Sequence, residues 1–267
     1  MKDYKEKYGP WALITGASSG IGAEFAKQLA EKGLNLVLAA RREDRLIELA
    51  KEIQQNHDIQ VKTIQVDLLS DGFIDRIRET TDGLDIGLLV SNAGYRIYVG
   101  EYFDNPLKEE LDMIDLNIKV PAILTHHFAK DMIARQKGGI IYNASVLGYM
   151  GTPYAASYAG SKAYGLVQGE GLWYELKPKG VDVLVLNPGL TNTEMTAPHD
   201  FSPLPMKLMM PGPVAKSAIE ALGKRSRVTP GGMNKVSNWM SKFMMTRNMN
   251  TRMFGFFLKK VLKKSHA

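Results

Sequence analysis

Two residues four positions apart on a predicted helix could move a proton together. Tyr158 and Lys162 form a Tyr-x-x-x-Lys pair within the helical pattern from Ala155 to Leu176, and residues four apart share one helix face. An ammonium group beside a phenol favours the charged form, so Lys162 would lower the pKa of Tyr158 from about 10. Such a phenol could exchange a proton with a ketone or an alcohol near neutral pH. The spacing is also common on solvent-exposed helices, and this alternative stays open for the pair alone.

Other polar residues follow predicted strands, at the edge of a parallel sheet where ligands bind. Ser145 lies thirteen residues before Tyr158, just past a predicted strand, and its hydroxyl could donate to a carbonyl oxygen. Asn117 lies in the preceding long helical pattern. Two short motifs follow further strands, with Thr193 shortly after the second: Asn92-Ala93-Gly94 and Asn187-Pro188-Gly189.

A glycine-rich segment, Thr15 to Gly22, joins a predicted strand to a predicted helix. Its glycines would permit a tight turn, close approach of the backbone to a pyrophosphate and close packing of helix on strand. The helix N-terminus would offer N–H groups to the phosphate. This position favours a dinucleotide site, and a glycine-rich turn without a ligand is the alternative. The predicted cofactor contacts in this segment are Gly16, Ser18, Ser19, Gly20, Ile21 and Gly22.

Apolar runs alternate with helical patterns along the chain and predict the fold. Predicted strands cover Trp11–Thr15, Leu34–Ala40, Ile59–Val66, Ile86–Ser91, Gly139–Ala144 and Val181–Asn187. Predicted helices cover Ile21–Lys32, Glu43–Asn56, Ser70–Thr81, Lys108–Arg135 and Ala155–Leu176. Because such alternation indicates βαβ units with right-handed crossovers, we predict an α/β fold: a Rossmann-type doubly wound parallel sheet of about seven strands with helices on both faces. One domain is expected over residues 1–267.

The motifs and their order resemble the short-chain dehydrogenase/reductase family from Thr15 to about residue 195. The spacing G-x-x-x-G-x-G, in particular, is typical of that family. The resemblance implies that Tyr158 is the general acid and that Ser145 orients and polarises a carbonyl group. It also implies that Lys162 bonds the nicotinamide ribose hydroxyls, and that Asn117 supports a water-linked proton relay to Lys162.

Further cofactor contacts and the assembly are implied by the resemblance. Asp67 would contact the adenine and Thr193 the carboxamide of the nicotinamide. The other implied contacts are Asn92, Ala93, Gly94, Pro188 and Gly189, in addition to Tyr158 and Lys162. Because the family often pairs its long helices, a homodimer or homotetramer is expected, with 108–135 and 155–176 as candidate interfaces.

The end of the second predicted strand indicates which nicotinamide cofactor is used. An acidic residue there would bond the ribose 2′-OH, whereas an arginine favours a 2′-phosphate. The chain has Ala39-Ala40-Arg41-Arg42 at this point, so we predict NADP(H) in preference to NAD(H), with contacts from Arg41 and Arg42. Ser19 stands where some NADP-binding relatives have a basic residue, so Arg41 would act with little help. The alternative is that Arg41 lies in solvent.

Composition excludes several other classes. The chain contains no cysteine, which excludes disulfides, thiolate nucleophiles and cysteine-ligated metals. The five histidines show no metal-ligand spacing, so no metal is expected. The charged N-terminus is unlike a signal peptide, and no apolar run reaches the roughly 18 residues of a membrane span. The cytoplasm is the expected location, with peripheral membrane association as an option.

The C-terminal part is strongly basic. Residues 201–267 carry a net charge of +12 and residues 1–200 a net charge of −6. Residues 231–267 are predicted to form a basic amphipathic extension, because apolar residues recur there at helical spacing. This extension could lie at a membrane interface, pack on the body of the protein or contact a partner subunit. Its charge would also suit CoA or an acyl carrier.

Residues 190–212, rich in Met, Leu and Pro, correspond to the mobile substrate loop of the family. Methionine adapts to lipid-like ligands, and it also serves as core filler. The segments 84–90 and 214–219 are similar to eukaryotic 3-ketoacyl-CoA reductases and related hydroxysteroid dehydrogenases. We therefore expect reduction of a hydrophobic ketone or a 3-ketoacyl thioester, a small molecule and not a nucleic acid. The alternatives are an NADPH sensor without turnover and a membrane-surface interaction protein.

Overall fold

The computed structural model describes residues 4–204 and 208–265, and its centre is a parallel sheet. The strands are β1 (Trp11–Thr15), β2 (Asn35–Ala40), β3 (Val61–Gln65), β4 (Ile86–Ser91), β5 (Gly138–Asn143), β6 (Val181–Leu186) and β7 (Arg227–Val228). Their order in the sheet is β3-β2-β1-β4-β5-β6-β7, and each neighbouring pair runs parallel. The predicted doubly wound sheet of about seven strands is confirmed.

Helices connect the strands. They are α1 (Tyr4–Tyr8), α2 (Gly20–Ala30), α3 (Glu43–Asn56), α4 (Phe73–Thr81), α5 (Leu107–Ile114), α6 (Val120–Ala134), α7 (Ala156–Leu176), α8 (Pro211–Ala221), α9 (Gly232–Phe243) and α10 (Arg247–Ser265). Short 3-10 helices cover Tyr102–Asp104, Val146–Tyr149 and Lys177–Lys179. None of the helices in the described ranges is long and apolar enough to cross a membrane.

Each face of the sheet is covered by an apolar layer. On β1, Ala12 and Ile14 belong to the layer that contains Phe25 of α2, whereas Leu13 belongs to the layer that contains Leu124 of α6. Successive side chains of a strand point to opposite faces. Because both faces of the sheet are buried, the central strands are continuous apolar runs. Their positions could therefore be predicted from the sequence.

The strand order creates a crevice beside β1. The chain passes from β1 to β2 and β3 on one side, and it then returns to form β4 on the other side of β1. In such sheets the ligand site lies at the carboxyl ends of the strands, at this reversal of direction. The topology therefore brings the glycine-rich segment after β1 next to the segment after β4.

Three elements differ from their predictions. The single helix predicted over 108–135 is divided into α5, a π-helical turn (Asp115–Lys119) and α6, and the Val120 N–H bonds the Asp115 carbonyl five residues back. The C-terminal helical pattern is divided into α9 and α10 at residues 244–246. Strand β7 has two residues, too few to give a periodic pattern. Residues 205–207 of the predicted substrate loop and 266–267 of the extension lie outside the described residues.

Candidate active site

The described residues enclose a cavity of about 940 Å³ at the carboxyl ends of the strands. One end is formed by the glycine-rich segment after β1 and by the residues after β2 and β3. The middle is formed by the segments after β4, β5 and β6, and the far end by apolar residues of α9 and α10. Most predicted site residues line it: Gly16, Ser18, Ser19, Gly20, Ile21, Arg41, Arg42, Asp67, Asn92, Ala93, Gly94, Ser145, Tyr158, Lys162, Pro188, Gly189 and Thr193.

Gly22 and Asn117 were predicted as site residues, yet they lie behind the described lining of the cavity. A Cβ atom on Gly22 would lie 2.2 Å from the Gly16 carbonyl oxygen and 2.6 Å from the Asn92 amide nitrogen. Both distances are well below van der Waals contact, so this position accepts only glycine. Gly22 thus allows the first turn of α2 to approach the end of β1 closely.

The N-terminus of α2 faces the cavity through Gly20 and Ile21. Ser19 precedes the helix, and its hydroxyl donates to Glu194 at 3.2 Å and accepts from Arg42 at 2.9 Å. The Ser19 hydroxyl therefore bonds these two charged residues and makes no capping hydrogen bond to α2. The first N–H groups of the helix can bond a ligand instead. A helix start of this kind attracts anions such as phosphate.

A cluster of charged side chains lies at the same end of the cavity. Arg42 donates to the Ser18 hydroxyl at 3.1 Å, and its guanidinium lies 2.8 Å from the Glu194 carboxylate. Arg45 contacts the other Glu194 oxygen at 2.5 Å. Burial alone would raise the pKa of Glu194, but hydrogen bonds from Arg45 and Arg42 lower it below its ordinary value. A loop residue near β6 is thus held in its ionised form against the arginines that follow β2.

This cluster changes the expected role of Arg41. The sequence suggested that Arg41 would act with little help, whereas the structure places Arg42 beside the glycine-rich segment with two serine contacts. Arg41 also lines the cavity and is exposed. Sequence reasoning missed Glu194, because its proximity to Arg42 depends on how the loop after β6 folds.

Hydrogen bonds tie together the segments after β1, β4 and β5. The Thr15 hydroxyl accepts from the backbone N–H groups of Asn92 and Ala93, both at 3.1 Å. The Asn92 amide donates to the Thr15 carbonyl at 3.0 Å and accepts from the Asn143 amide at 2.9 Å. Asn143 also accepts, through its backbone carbonyl, a bond from Lys162 at 3.0 Å. Sequence reasoning missed Asn143, although its place at the end of β5, two residues before Ser145, made it a candidate.

Ser145, Tyr158 and Lys162 come together in the cavity wall. Tyr158 and Lys162 lie in the first two turns of α7, and Ser145 precedes the 3-10 helix Val146–Tyr149. The three residues are only 6–8% exposed. The Lys162 ammonium lies 5.7 Å from the centre of the Tyr158 ring. Three groups that can donate a proton or a hydrogen bond therefore converge on one buried region.

The predicted lowering of the Tyr158 pKa by Lys162 was wrong, because burial has the opposite effect. Burial raises the pKa of Tyr158 to about 12, and a hydrogen bond with Ser145 offsets only part of that rise. Burial also lowers the pKa of Lys162 to about 8. The removal of both groups from water disfavours their charged forms. Tyr158 consequently keeps its proton at neutral pH, as a proton donor requires.

Asn117 lies in the π-helical turn and joins two parts of the site. Its amide oxygen accepts from the Tyr95 backbone N–H at 2.8 Å, and its amide nitrogen donates to the Ser161 hydroxyl at 2.9 Å. Ser161 in turn donates to the Tyr158 carbonyl at 2.8 Å. A Cβ atom placed on Gly94 would lie 3.2 Å from the Lys162 ammonium and 3.4 Å from the Asn117 amide oxygen. Asn117 therefore fixes the turn of α7 that carries Tyr158.

The far end of the cavity is apolar and comes from the loop after β6 and the C-terminal helices. Phe201 and Leu204 of the loop line it, as do residues of α9 and α10 and the segment between them: Met233, Val236, Met240, Met245, Met253, Phe254, Phe257 and Leu258. Leu258 and Val261 of α10 are buried against the body of the protein. The extension thus packs on the body through α10 and contributes to the cavity.

The loop after β6 is closed at its base. Thr191 and Met209 form a parallel bridge, in which the Asn192 N–H bonds the Met209 carbonyl and the Met209 N–H bonds the Leu190 carbonyl, both at 2.8 Å. The bridge therefore holds the start of the loop beside the residues that lead into α8.

Comparisons with known proteins agree with this architecture. A family model described as short chain dehydrogenase matches residues 10–201. A 7β-hydroxysteroid dehydrogenase of Collinsella aerofaciens is 32% identical over 262 residues, which cover 95% of this chain and 98% of the relative. A very-long-chain 3-oxoacyl-CoA reductase of Podospora anserina is 36% identical over 252 residues, which cover 90% of this chain and 72% of the relative. A human protein named inactive hydroxysteroid dehydrogenase-like protein 1 is 32% identical over 246 residues, 91% of this chain and 74% of the relative.

Solved structures show the same fold. A 7β-hydroxysteroid dehydrogenase superposes with a TM-score of 0.86 at 30% identity, covering 95% of this chain and 99% of that chain. A short-chain dehydrogenase from Sphingobium yanoikuyae in complex with NADPH superposes with a TM-score of 0.76 at 31% identity, covering 83% and 87%. The sheet order, with helices on both faces, defines a Rossmann-type fold. The chain belongs to the short-chain dehydrogenase family.

Proposed function

We propose that the protein is an NADP(H)-dependent reductase that converts a hydrophobic carbonyl compound to an alcohol. The observation that carries this proposal is the burial of Ser145, Tyr158 and Lys162 in the wall of one cavity. The other end of that cavity is the glycine-rich start of α2. A proton donor and a dinucleotide cradle in one cavity are what hydride transfer to a carbonyl requires.

The residues of the cradle fit a phosphorylated nicotinamide dinucleotide. The N–H groups at the start of α2 suit the pyrophosphate. Arg41 and Arg42, with the hydroxyls of Ser18 and Ser19, would hold a 2′-phosphate. Asp67 lies at the same end of the cavity, where the adenine would bind. A relative of known structure is described as a complex with NADPH, which supports the preference for NADP(H).

The bound cofactor would supply the hydride, and the side chains of this protein would supply the proton and the alignment. Ser145 would donate a hydrogen bond to the carbonyl oxygen and hold it beside the Tyr158 hydroxyl. Tyr158, with its raised pKa, would give its proton to that oxygen as the carbon becomes an alcohol carbon. Lys162, whose pKa is about 8, is largely protonated at neutral pH. Its ammonium would stabilise the phenolate until Tyr158 regains a proton.

The substrate class follows from the apolar end of the cavity. Methionine and phenylalanine side chains from α10 and the loop between α9 and α10 face the region beyond Tyr158. Methionine adapts its shape to an apolar ligand. Relatives are named for a hydroxysteroid and for a very-long-chain 3-oxoacyl-CoA. Both chemistries present a ketone next to a large apolar group, and this is the substrate class that we propose here.

The test measures oxidation of NADPH from the loss of its absorbance. The substrates are ketosteroids, 3-ketoacyl thioesters and simple hydrophobic ketones, and NADH replaces NADPH for comparison. Tyr158→Phe removes only the hydroxyl, and we expect it to lower kcat by about 10²–10⁴-fold. Tyr174→Phe is the matched control, because Tyr174 lies on the same helix and is 78% exposed. Tyr158→Phe activity within threefold of the parent activity would contradict the proposed role of Tyr158.

The second hypothesis is a protein that binds NADPH without turnover. A human relative is named as inactive, so sequence similarity does not by itself imply catalysis. The buried Ser145, Tyr158 and Lys162 support turnover in this chain. Tight NADPH binding together with no reduction of any ketone in the panel would favour the sensor hypothesis.

We further propose that the chain assembles as a homodimer or homotetramer through α5 and α7. Apolar side chains on these helices are exposed, at Leu107, Leu111 and Ile114 of α5 and Val167 of α7. Exposed apolar patches of this kind mark interfaces. Light scattering of the parent protein and of Leu111→Lys should show a larger mass for the parent. Equal monomer masses would contradict this assembly.

A further inference from the structure

The C-terminal helices carry an exposed apolar surface on α9. Its side chains are Met233, Val236, Trp239, Met240 and Phe243 of α9 together with Met244, and each is 44–65% exposed. Their spacing follows the turns of the helix, so they form one broad face. Monomeric proteins rarely leave a contiguous apolar patch of this size in water, and such patches mark contacts with a partner or a membrane. We call these six residues the α9 face.

The surroundings of the α9 face are positively charged. Exposed lysines and arginines on the two helices and their junction are Lys235, Arg247, Arg252, Lys259, Lys260, Lys263 and Lys264. The sequence contains no acidic residue after Glu220. Lys264 pairs with Asp200 of the loop after β6 at 2.8 Å, and the excess of cations beside an apolar face complements a surface that is apolar below and anionic above. An anionic lipid bilayer has this arrangement, and each nearby cation adds roughly fivefold to binding.

A second copy of the chain fits this face less well. In a two-fold symmetric dimer the same patch meets itself. That pairing would place these cations against one another with no carboxylate from the same segment to neutralise them. The charge pattern therefore favours a lipid surface over a symmetric contact between two chains.

The α9 face also lies at an opening of the cavity. Met233, Val236 and Met240 belong to the exposed face and at the same time line the cavity. A molecule that enters past these residues would move from the surface against which α9 rests towards Tyr158 without crossing water. Trp239 and Phe243, in contrast, are exposed and lie outside the described lining.

From this juxtaposition we propose that α9 and α10 bind the surface of an anionic bilayer and that the cavity opens towards the lipid. The helices would lie in the interface without spanning it. Hydrophobic substrate dissolved in the bilayer would enter between Met233, Val236 and Met240. This inference goes beyond carbonyl reduction, because the binding surface is separate from the residues that carry the proton.

The first experiment is co-sedimentation of the full chain with vesicles. One set is pure phosphatidylcholine, and the other contains about one part phosphatidylserine to three parts phosphatidylcholine. We expect binding to the anionic set that weakens with added salt. A blue shift of tryptophan fluorescence should accompany it. Trp239 should carry that shift, because Trp11 is buried, Trp173 of α7 packs against the core and Trp239 is 55% exposed. Trp239→Phe should remove most of it.

Two variants with matched controls test which residues bind. Trp239→Ser/Phe243→Ser removes apolar area, and Lys259→Glu/Lys260→Glu reverses charge. Each should weaken binding by at least about tenfold. The controls are Phe103→Ser, at a side chain that is 94% exposed on another surface, and Lys51→Glu/Lys130→Glu on α3 and α6. These controls should bind like the parent, and all variants should reduce a water-soluble ketone at the parent rate.

Several results would overturn the proposal. One is a parent protein that stays in the supernatant with anionic vesicles. Another is equal binding by the parent and by Trp239→Ser/Phe243→Ser. A third is a stable dimer that this double variant dissociates, because the face would then be covered by a second copy. Since vesicle binding is measured without turnover, these outcomes are distinct from failure of the proposed reductase activity.

Discussion

Substitution of Glu194 by glutamine should change which nicotinamide cofactor the protein prefers. In the structure the Glu194 carboxylate contacts Arg42 at 2.8 Å and Arg45 at 2.5 Å, at the end of the cavity proposed to hold the ribose 2′-phosphate. A 2′-phosphate would have to share Arg42 with this carboxylate, or displace it. Glu194→Gln removes the negative charge while keeping a side chain of the same size.

The expected magnitude follows from the charges and their exposure. The side chains of Glu194, Arg42 and Arg45 are 53%, 37% and 45% exposed, so solvent screens them strongly. A pair of unit charges near a protein surface then contributes about 1 kcal/mol. Because a 2′-phosphate carries nearly two negative charges, loss of the Glu194 charge should favour NADPH by about 1–2 kcal/mol, or roughly 5–30-fold in Kd. NADH lacks this phosphate, and its Kd should change little.

The assay is titration of the protein with NADPH and with NADH, by calorimetry or by the fluorescence of the bound nicotinamide. Asp200→Asn is the matched control, because it removes a carboxylate from the same loop, where Asp200 pairs with Lys264 at 2.8 Å. If both variants change both affinities alike, the effect is loosening of the loop. If Glu194→Gln instead weakens NADH and leaves NADPH unchanged, Glu194 bonds the ribose hydroxyl. Our assignment of the 2′-phosphate site would then be wrong.

Two further predictions concern stability. Lys162→Met should increase the free energy of unfolding at pH 7 by about 1–2 kcal/mol while abolishing turnover, because it removes a buried ammonium and sacrifices one hydrogen bond to Asn143. The pKa of Lys162 is about 8 in the folded protein and about 10.4 in the unfolded chain. Between these pH values the folded parent binds fewer protons than the unfolded parent, so its free energy of unfolding should rise with pH. The difference in that free energy between Lys162→Met and the parent should therefore become smaller. Urea unfolding at pH 7 and pH 10 checks this, and an equal advantage at both values would contradict it. Gly22→Ala should lower the free energy of unfolding by about 1–3 kcal/mol and weaken NADPH binding. In the control Gly171→Ala nothing lies within 4 Å of the new Cβ, so this variant should stabilise α7 by up to about 1 kcal/mol. Thermal melts that show similar shifts for the two variants would contradict the steric argument.

The fold was largely predictable from the sequence, because burial and local pattern coincide there. Helix Glu43–Asn56 and strand Ile86–Ser91 have the predicted bounds. The π-helical turn within 115–119 was not predicted, because one extra residue in a turn hardly alters an apolar pattern. The break between α9, which ends at Phe243, and α10 was not predicted for a related reason. The apolar spacing continues across that break.

The candidate site was predictable in its members and less so in their interactions. Tyr158, Lys162 and Ser145 were identified by type and spacing, and the structure brings them together. The direction of the Tyr158 pKa could not be read from Lys162 alone, because it depends on how deeply both are buried. Glu194 and Asn143 were missed because their partners, Arg42 and Lys162, are distant in sequence.

The bridge between Thr191 and Met209 has a consequence for how the protein can acquire new specificities. The bridge holds Thr191 and Met209 side by side, so the two ends of the loop after β6 are fixed relative to each other. Each doubling of loop length costs only about 0.6 kcal/mol in closure entropy. The part of the loop after Glu194 can therefore be replaced by a longer or shorter sequence. Neither β6 nor α8 would need to move. The sequence of this loop, and with it the substrate preference, can therefore change while Ser145, Tyr158 and Lys162 keep their positions.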